Sequence, residues 1–576
     1  MKIIIIGAGP SGLVALKEFR EAGFDAMVLE KSSGIGGALR EGYENLYLTT
    51  SNRLTGYSDF PDQSRLKYSS HEEYMDYLES YASFFGLKKN ITFDTAVTSA
   101  KLNASGNWEI EAKQAGKVIH LVADRLIVAT GSNHIPKYAP TPGYSGEIMH
   151  SSEWRDNKEV TGKRVLVIGN GESAGDVSAE AAKVANSVAL WTRKPICMAP
   201  RFVNLKSNDE LAWLKKQHEE PPQVWELLET TTVTQVSQLQ SAKDYSDERM
   251  VLFKMGKEMG GKDALSLLGS ISYNASTNVP EGVQGSDQLF VVTKTSRMAT
   301  AVATAGVDLF IARRASFCGK KVTFSELSQK NFEWPIASSH QETYEADIIV
   351  MCTGFKTNFD WLDVEIDWNP RTWFKNCIPI GYEDKLAFLG WTRGHQGGIP
   401  AMSEMLSRYL ALLYSGLRTL PENWQETIKT EKEVSEKYYA LASGNNTLVD
   451  YPSFMLSVAR LIGCEPRRPS IFNLRRFIKY YTFPLWPMFY RTHGPGARPE
   501  ILGHVLDQHG TFEAISPRGT WKRALFQVAF LNPVFYLFSF FGTKAQNMGY
   551  GWYWAKSKRF VGLHGLNIRF KEVLLP

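Results

Sequence analysis

Apolar residues open the chain as an unbroken run and then thin to a helical rhythm. Ile3 to Ile6 are four consecutive isoleucines, the pattern of a strand covered on both faces. They lead into Gly7-Ala8-Gly9-Pro10-Ser11-Gly12, a helical stretch to Glu21, and a second strand, Ala26 to Leu29, that ends at Glu30. The same order returns at Lys163 to Ile168, which leads into Gly169-Asn170-Gly171-Glu172-Ser173-Ala174, a helix to about Ala185 and a strand from Ser187 to Trp191. Between the two units the period changes. His71 to Phe85 carries Tyr74, Tyr77, Leu78, Tyr81 and Ala82 at helical spacing, which predicts an amphipathic helix with those residues in the core. Ile91 to Phe93, Val97 to Leu102, Trp108 to Ala112 and Lys117 to Ala123 predict a small antiparallel meander inserted in the first unit.

Strand endings add to this. Arg125 to Ala129 runs into Thr130-Gly131, and Tyr344 to Met351 into Cys352-Thr353-Gly354. A small residue and a glycine at a strand end leave room where bulk would collide with a ligand, and the repeated ending predicts that one unit interrupts the other. Leu386 to Trp391 precedes Gly397-Gly398-Ile399-Pro400 and a helix, Ala401 to Tyr414, whose N-terminus is directed toward the first unit's ligand. Tyr47 to Pro61 is hydroxyl-rich and aperiodic, the mark of a loop that lines a site. The fold class is therefore α/β: two Rossmann-like dinucleotide-binding domains, one interrupted by the other, plus a mostly helical insertion and a C-terminal extension. The expected boundaries are 1–155 and 346–415 for the first domain, 156–345 for the second with an insertion at about 203–292, and 416–576 for the aromatic-rich extension.

The chemistry of both units is dinucleotide binding. Gly7 allows the tight turn, Gly9 lets a pyrophosphate approach the backbone, and Gly12 lets helix and strand pack closely, with Pro10 and Ser11 completing a turn that places phosphates on the helix N-terminus. Glu30 stands where a carboxylate accepts from ribose hydroxyls, followed by Lys31. The Gly34-Ile35-Gly36-Gly37-Ala38-Leu39 turn brings more backbone close to the ligand. In the second unit Gly169, Gly171, Glu172 and Ser173 repeat the turn, and Ala174 replaces the third glycine. Where the first unit has Glu30, the second has Arg193 and Lys194. A carboxylate there would repel a 2′-phosphate and Arg193 can pair with it, so NADPH rather than NADH is expected.

Composition narrows the partners. The 576 residues are 43% hydrophobic and 22% charged, an ordinary globular balance. A net charge of +5 and the lack of a basic run with interleaved aromatics give no sign of nucleic-acid binding. The cysteines, Cys197, Cys318, Cys352, Cys377 and Cys464, are odd in number and without CxxC spacing, which points to a reducing compartment and to neither a metal site nor a redox disulfide. The N-terminus is already a core strand, so a cytoplasmic location is expected. The uncharged run Leu525 to Phe541, flanked by Lys522, Arg523 and Lys544, is either buried aromatic packing or a peripheral membrane contact.

Taken together, GAGPSG with Glu30, the GIGG turn, YSDFP, the helix HEEYMDYLESYASFF, VATG and GNGESA resemble the class B flavoprotein monooxygenases, and within them the flavin-containing monooxygenases. Tyr144 to Trp154, YSGEIMHSSEW, is similar to that class's FxGxxxHxxx(aromatic) fingerprint, with Tyr144 for Phe. The resemblance covers roughly residues 1 to 415. It implies FAD in the first fold and NADPH in the second, hydride transfer to the flavin, capture of O2 as a C4a-hydroperoxyflavin, and transfer of one oxygen atom to nitrogen or sulfur of a small organic substrate. Thr50, Thr130, Gly131, Thr353 and Gly354 join the cofactor contacts, and His150 couples the geometry of the two folds. Two departures stand out. Many N- and S-oxygenating relatives carry an asparagine on the flavin side of the site where this chain has Thr49, with Asn52 three residues on able to substitute only if the loop shifts, so the resemblance makes Thr49, Asn52 and His150 the candidate catalytic residues. The fingerprint also ends in Trp154, as in the Baeyer-Villiger branch. No arginine of the Baeyer-Villiger kind is identifiable. A Baeyer-Villiger oxygenase on a ketone or aldehyde, and an uncoupled NADPH oxidase, remain the alternatives. A flavin-binding protein without turnover would leave Arg193 unexplained.

Overall fold

The structure is a computed structural model. It describes residues 1–193, 307–330 and 340–508, apart from 45, 47, 49, 51, 65–68, 134, 170, 395–397, 440–446, 450, 468 and 483–485.

The isoleucine run forms strand β1 (Lys2–Ile6), the middle of a five-stranded parallel sheet. On one side lie β2 (Asp25–Leu29) and then β3 (Ile91–Thr92); on the other, β7 (Arg125–Val128) and then Leu386–Phe388. The four isoleucines serve two cores. Ile3 and Ile5 pack with helix α1 (Pro10–Glu21) and the helices beyond it, while Ile4 and Ile6 pack with Trp108, Trp373 and Phe388 on the opposite face. Burial on both sides, not alternation, is what the uninterrupted run encodes. The second face is covered by three of the four strands expected in the meander, β4 (Thr95–Leu102), β5 (Trp108–Gln114) and β6 (Lys117–Ala123), each antiparallel to the next; the fourth, Ile91–Thr92, pairs in parallel with β2 instead and so belongs to the first sheet.

The second sheet has seven strands. Arg164–Ile168 pairs in parallel with Ser187–Thr192 and with Ile348–Met351, and Glu147–His150 adds to the outer side of Ile348–Met351. Asp308–Cys318 and Lys321–Lys330 close the far side as an antiparallel hairpin with Glu342–Glu345. Both junction strands belong to this sheet, so the change of sheet falls before Glu147 and after Met351 rather than at 155/156 and 345/346. The reason is that each finds a parallel neighbour there. The two connections between the sheets run side by side: Ile135–Pro136 pairs antiparallel with Phe355–Lys356.

Helix α2 (Asn52–Thr55) is a single turn inside the 47–61 loop. Helix α3 (His71–Phe84) begins at a capping box in which Ser70 and Glu73 satisfy each other's backbone N–H, and it buries Tyr74, Leu78, Tyr81 and Ala82. Helix α4 (Glu172–Ala181) opens the second unit, and α5 (Ile399–Tyr414) lies against α1. The described part of the 416–576 stretch continues this layer: Met455, Trp486, Phe489, Tyr490 and Leu506 share one core with Leu13, Leu16 and Phe19 of α1. Trp486, Met488, Phe489 and Tyr490, from the aromatic and proline-rich text, are buried. The insertion at about 203–292 and the run 525–541 lie outside the described residues. Among the described residues, no helix is long and apolar enough to cross a membrane.

Candidate functional site

Each cradle is a strand, a glycine turn and a helix N-terminus. In the first, Gly7 has φ +103°, and a Cβ there would stand 2.8 Å from the Ala129 carbonyl oxygen. A Cβ on Gly12 would stand 1.9 Å from the Gly7 oxygen, so the close packing of α1 on β1 requires its absence. Gly9 caps α1 and leaves the first N–H groups without a side-chain partner, with Pro10 opening the helix. Opposite Gly9 lies the Gly37–Leu39 turn, where Gly37 has φ +58° and a Cβ would reach 3.0 Å from Gly9 Cα. Ala38 on this turn is exposed and Leu39 half-buried. Glu30 is 5% exposed at the end of β2, its carboxylate accepting from Ala8 N at 2.6 Å and Ser32 N at 2.8 Å; Lys31 beside it is exposed. The carboxylate is thereby oriented at the mouth of the turn.

Just beyond β7 and its neighbour Leu386–Phe388 are three polar atoms with nothing to bond. Thr130 Oγ1, Trp391 Nε1 and Thr392 Oγ1 are shielded from solvent and have no hydrogen-bond partner among the described residues. Unsatisfied buried polar atoms cost about 1–3 kcal/mol each. Past the carboxyl ends of adjacent parallel strands is also where open α/β sheets bind ligands. A Cβ on Gly131, Gly171 or Gly354 would meet nothing within 4 Å, so these three glycines border open space. The residues present fit a bound dinucleotide.

The second cradle repeats the device. Gly169 has φ +152°, and a Cβ there would stand 2.4 Å from the Cys352 oxygen; Gly171 caps α4, which begins at Glu172 and Ser173, and Ala174 is fully buried beneath it. Arg193 is exposed directly after Ser187–Thr192 and has no ion-pair partner among the described residues. Lys194 lies outside them.

The pattern of the FMO-like, Flavin-binding monooxygenase-like, family matches residues 1–208 and 326–540. This chain belongs to that family. It is a flavin-dependent monooxygenase, an oxidoreductase with FAD and NADPH as its cofactors. The chain is 31% identical over 537 residues to a 4-hydroxybenzoate brominase (decarboxylating) of Marinomonas mediterranea, covering 91% of this chain and 95% of the relative. It is 26% identical over 536 residues to flavin-containing monooxygenase 5 of Cavia porcellus, covering 87% and 91%. In fold it resembles the S-allyl-L-cysteine S-oxygenase of Allium sativum, with a TM-score of 0.53 at 18% identity over 89% of this chain and 98% of that one.

In this monooxygenase the fingerprint segment is a joint. His150 is fully buried at the end of Glu147–His150. Ser152 N donates to its Nδ1 at 3.1 Å, which places the ring proton on Nε2, 3.0 Å from the Gly354 oxygen on the returning connection. Burial holds its pKa below the ordinary value, against the opposing pull of the Gly354 bond and Glu153. A neutral imidazole with both nitrogens engaged fixes the joint and has no free site for proton transfer. Trp154 anchors the same segment in the second core. Thr353 Oγ1 donates to the Lys137 oxygen across the paired connections, and Gly354 has φ +81°.

The 47–61 loop is assigned by its own bonds. Asn52 is 3% exposed, its Nδ2 donating to Asp62 Oδ2 at 3.1 Å and Ser64 Oγ at 3.0 Å, so it ties α2 to the following loop. Thr50 Oγ1 lies 2.7 Å from Thr55 Oγ1. Thr49 lies outside the described residues. Trp391 and Thr392 escaped the sequence reading, although Gly390 before them repeats the strand-end signal seen at Thr130-Gly131.

Proposed function

We propose that this monooxygenase transfers one oxygen atom to nitrogen or sulfur of a small organic molecule. FAD would lie on Gly7, Gly9, Pro10, Ser11 and Gly12, with its ribose on Glu30, and NADPH on Gly169, Gly171, Glu172, Ser173 and Ala174, with its 2′-phosphate on Arg193. When bound, the flavin takes hydride from NADPH and activates dioxygen. The chain would supply two cradles, a joint at His150 between the two sheets, and the Thr130, Trp391 and Thr392 donors, which have no partner among the described residues and would be free to bond the cofactor. The observation that supports this placement of the cofactors is Arg193, exposed and without an ion-pair partner among the described residues, where the first fold has a bonded Glu30: two cradles of unlike charge suit two unlike dinucleotides.

A second reading has a halide as the soft nucleophile and a phenolic acid as its acceptor. It is favoured by the 31% identity to a brominase across 91% of the chain and by Thr49, which stands where N- and S-oxygenating relatives carry asparagine. One experiment separates them. Purified FAD-loaded enzyme is given NADPH and oxygen, and peroxide release is followed with amines, sulfides, a cyclic ketone, or bromide plus 4-hydroxybenzoate, with products identified by mass. Suppression of peroxide by an amine or sulfide, with an oxide formed, supports the first reading. A brominated phenol supports the second, and a lactone would restore the Baeyer-Villiger alternative. Peroxide release unchanged by every candidate leaves an NADPH oxidase. For the run 525–541, we propose peripheral membrane contact, which cosedimentation of the full chain with lipid vesicles tests.

A further inference from the structure

Six charged side chains are buried together where α1, the 57–60 turn, α5 and the Pro487–Arg491 turn meet. They are Lys17, Glu18, Asp59, Glu404, Arg408 and Arg491, none more than 7% exposed. The carboxylates of Glu18, Asp59 and Glu404 approach one another closely enough to suggest a cation site, but Lys17 and Arg491 already occupy the space between them. Arg491 is the hub. Its Nε donates to Ser58 Oγ at 2.7 Å, and its Nη2 to Glu404 Oε1 at 2.9 Å, to Glu18, and to Asp59 Oδ2 at 3.3 Å. Glu404 in turn accepts from Ser58 N at 2.7 Å. Arg408 holds the same strap by donating to the Tyr490 and Pro495 oxygens at 3.0 and 3.1 Å.

Burying ions costs several kcal/mol apiece, and apolar packing often serves stability as well, so a network of this size is better understood by what it aligns. The chain neighbours of Arg491's partners give the answer. Ser403, next to Glu404, has its Oγ 2.8 Å from Ser11 Oγ, and Tyr57, next to Ser58, donates to the Pro10 oxygen at 2.7 Å. Pro10 and Ser11 open α1, at the helix N-terminus of the first cradle. Gly398, at the head of α5, packs so tightly on α2 that a Cβ would stand 2.6 Å from the Leu54 oxygen.

We propose that Arg491 is a positioning residue for the flavin site: by clamping Glu404 and Ser58 it sets the first turn of α5 and the 52–60 stretch against the Gly9–Gly12 turn. This rests on the reading that the first fold holds FAD. A planar fork is needed because one group must reach Ser58, Glu404 and Glu18 in different directions, which an ammonium cannot do.

Two full-length variants test it. Arg491→Lys keeps the charge and loses the fork. The pair Arg491→Met with Glu404→Gln removes one charge of each sign, which keeps the network balanced should Arg491→Lys fail to fold. For each, FAD affinity is measured by fluorescence titration, alongside the melting temperature of the apoprotein and NADP⁺ binding. We expect FAD affinity to fall about tenfold, with NADP⁺ affinity unchanged and, for the balanced pair, melting near that of the parent. FAD affinity at the parent level overturns the proposal, whether melting is lowered, which would leave the network a prop for the fold, or unchanged. A parent chain that takes up no FAD would remove the cofactor reading and this inference with it, a result distinct from failure in the variants alone.

Discussion

Gly9→Ala adds a single methyl group to the first cradle and separates what the fold needs from what a ligand needs. Gly9 sits at φ −71° and ψ 178°, extended backbone that alanine adopts freely. Its Cβ would stand 3.6 Å from Gly37 Cα, an ordinary contact. The cost to the protein is the poorer N-cap, about 1 kcal/mol, which lowers melting by a few degrees at most. The cost to FAD is larger. A methyl over the helix N-terminus holds a phosphate off the free N–H groups, and losing one charge-assisted hydrogen bond is worth about 1.5–3 kcal/mol, roughly tenfold to a hundredfold in affinity. Gly12→Ala is the contrast. Its Cβ would overlap the Gly7 oxygen at 1.9 Å, so α1 must shift from β1 at an overpacking cost of about 1–3 kcal/mol. The gain in helix propensity, about 1 kcal/mol, offsets only part of this. Fluorescence titration of the deflavinated protein with FAD, beside melting of each apoprotein, reads both terms. Gly9→Ala binding FAD as tightly as the parent would refute the assignment of the turn to the pyrophosphate.

Three further outcomes are expected. Arg193→Ala should raise the Michaelis constant for NADPH by about tenfold or more while leaving NADH nearly unaffected; equal loss with both would show that the arginine does not meet the 2′-phosphate. His150 titrates below its ordinary value of 6.5 in the folded protein, so the unfolded chain takes up the proton first as pH falls. The stability His150 contributes is complete above 6.5 and is lost below it, and the melting temperature of His150→Gln should fall less steeply on the acid side. Burial alone would raise the Glu18 carboxyl, but Arg491 and Lys17 hold it down to about 2 from 4.5. Its contribution is present above 4.5 and disappears as pH falls toward 2, so acid unfolding of Glu18→Gln, followed by circular dichroism, should lack part of that limb.

The two cradles were legible because each is a local device. Strand, glycine turn and helix follow one another within a dozen residues, and Gly12 is dictated by a contact inside that stretch, against the Gly7 oxygen. Arg193 could be set beside Glu30 because both follow the second strand of their unit. The meander and the α3 helix were legible for the same reason, since alternation and helical spacing are short-range patterns.

The rest was decided by residues far apart in the chain. Arg491 meets Glu18 across 473 positions and Ser11 meets Ser403 across 392, and nothing in the text around either names the other. The aromatic and proline-rich stretch near Trp486 carries no period of its own, because its burial comes from α1 and α5 rather than from a repeat. The junction strands Glu147–His150 and Ile348–Met351 look alike to either sheet in sequence; pairing with each other and with Arg164–Ile168 assigns them to the second. The sequence by itself determined the two strand, glycine turn and helix units and the unlike residues, Glu30 and Arg193, that follow their second strands. Only the tertiary structure decided how those cradles are held in place, because buried ion pairs and parallel pairings take their partners from distance in space and leave no periodic trace along the chain.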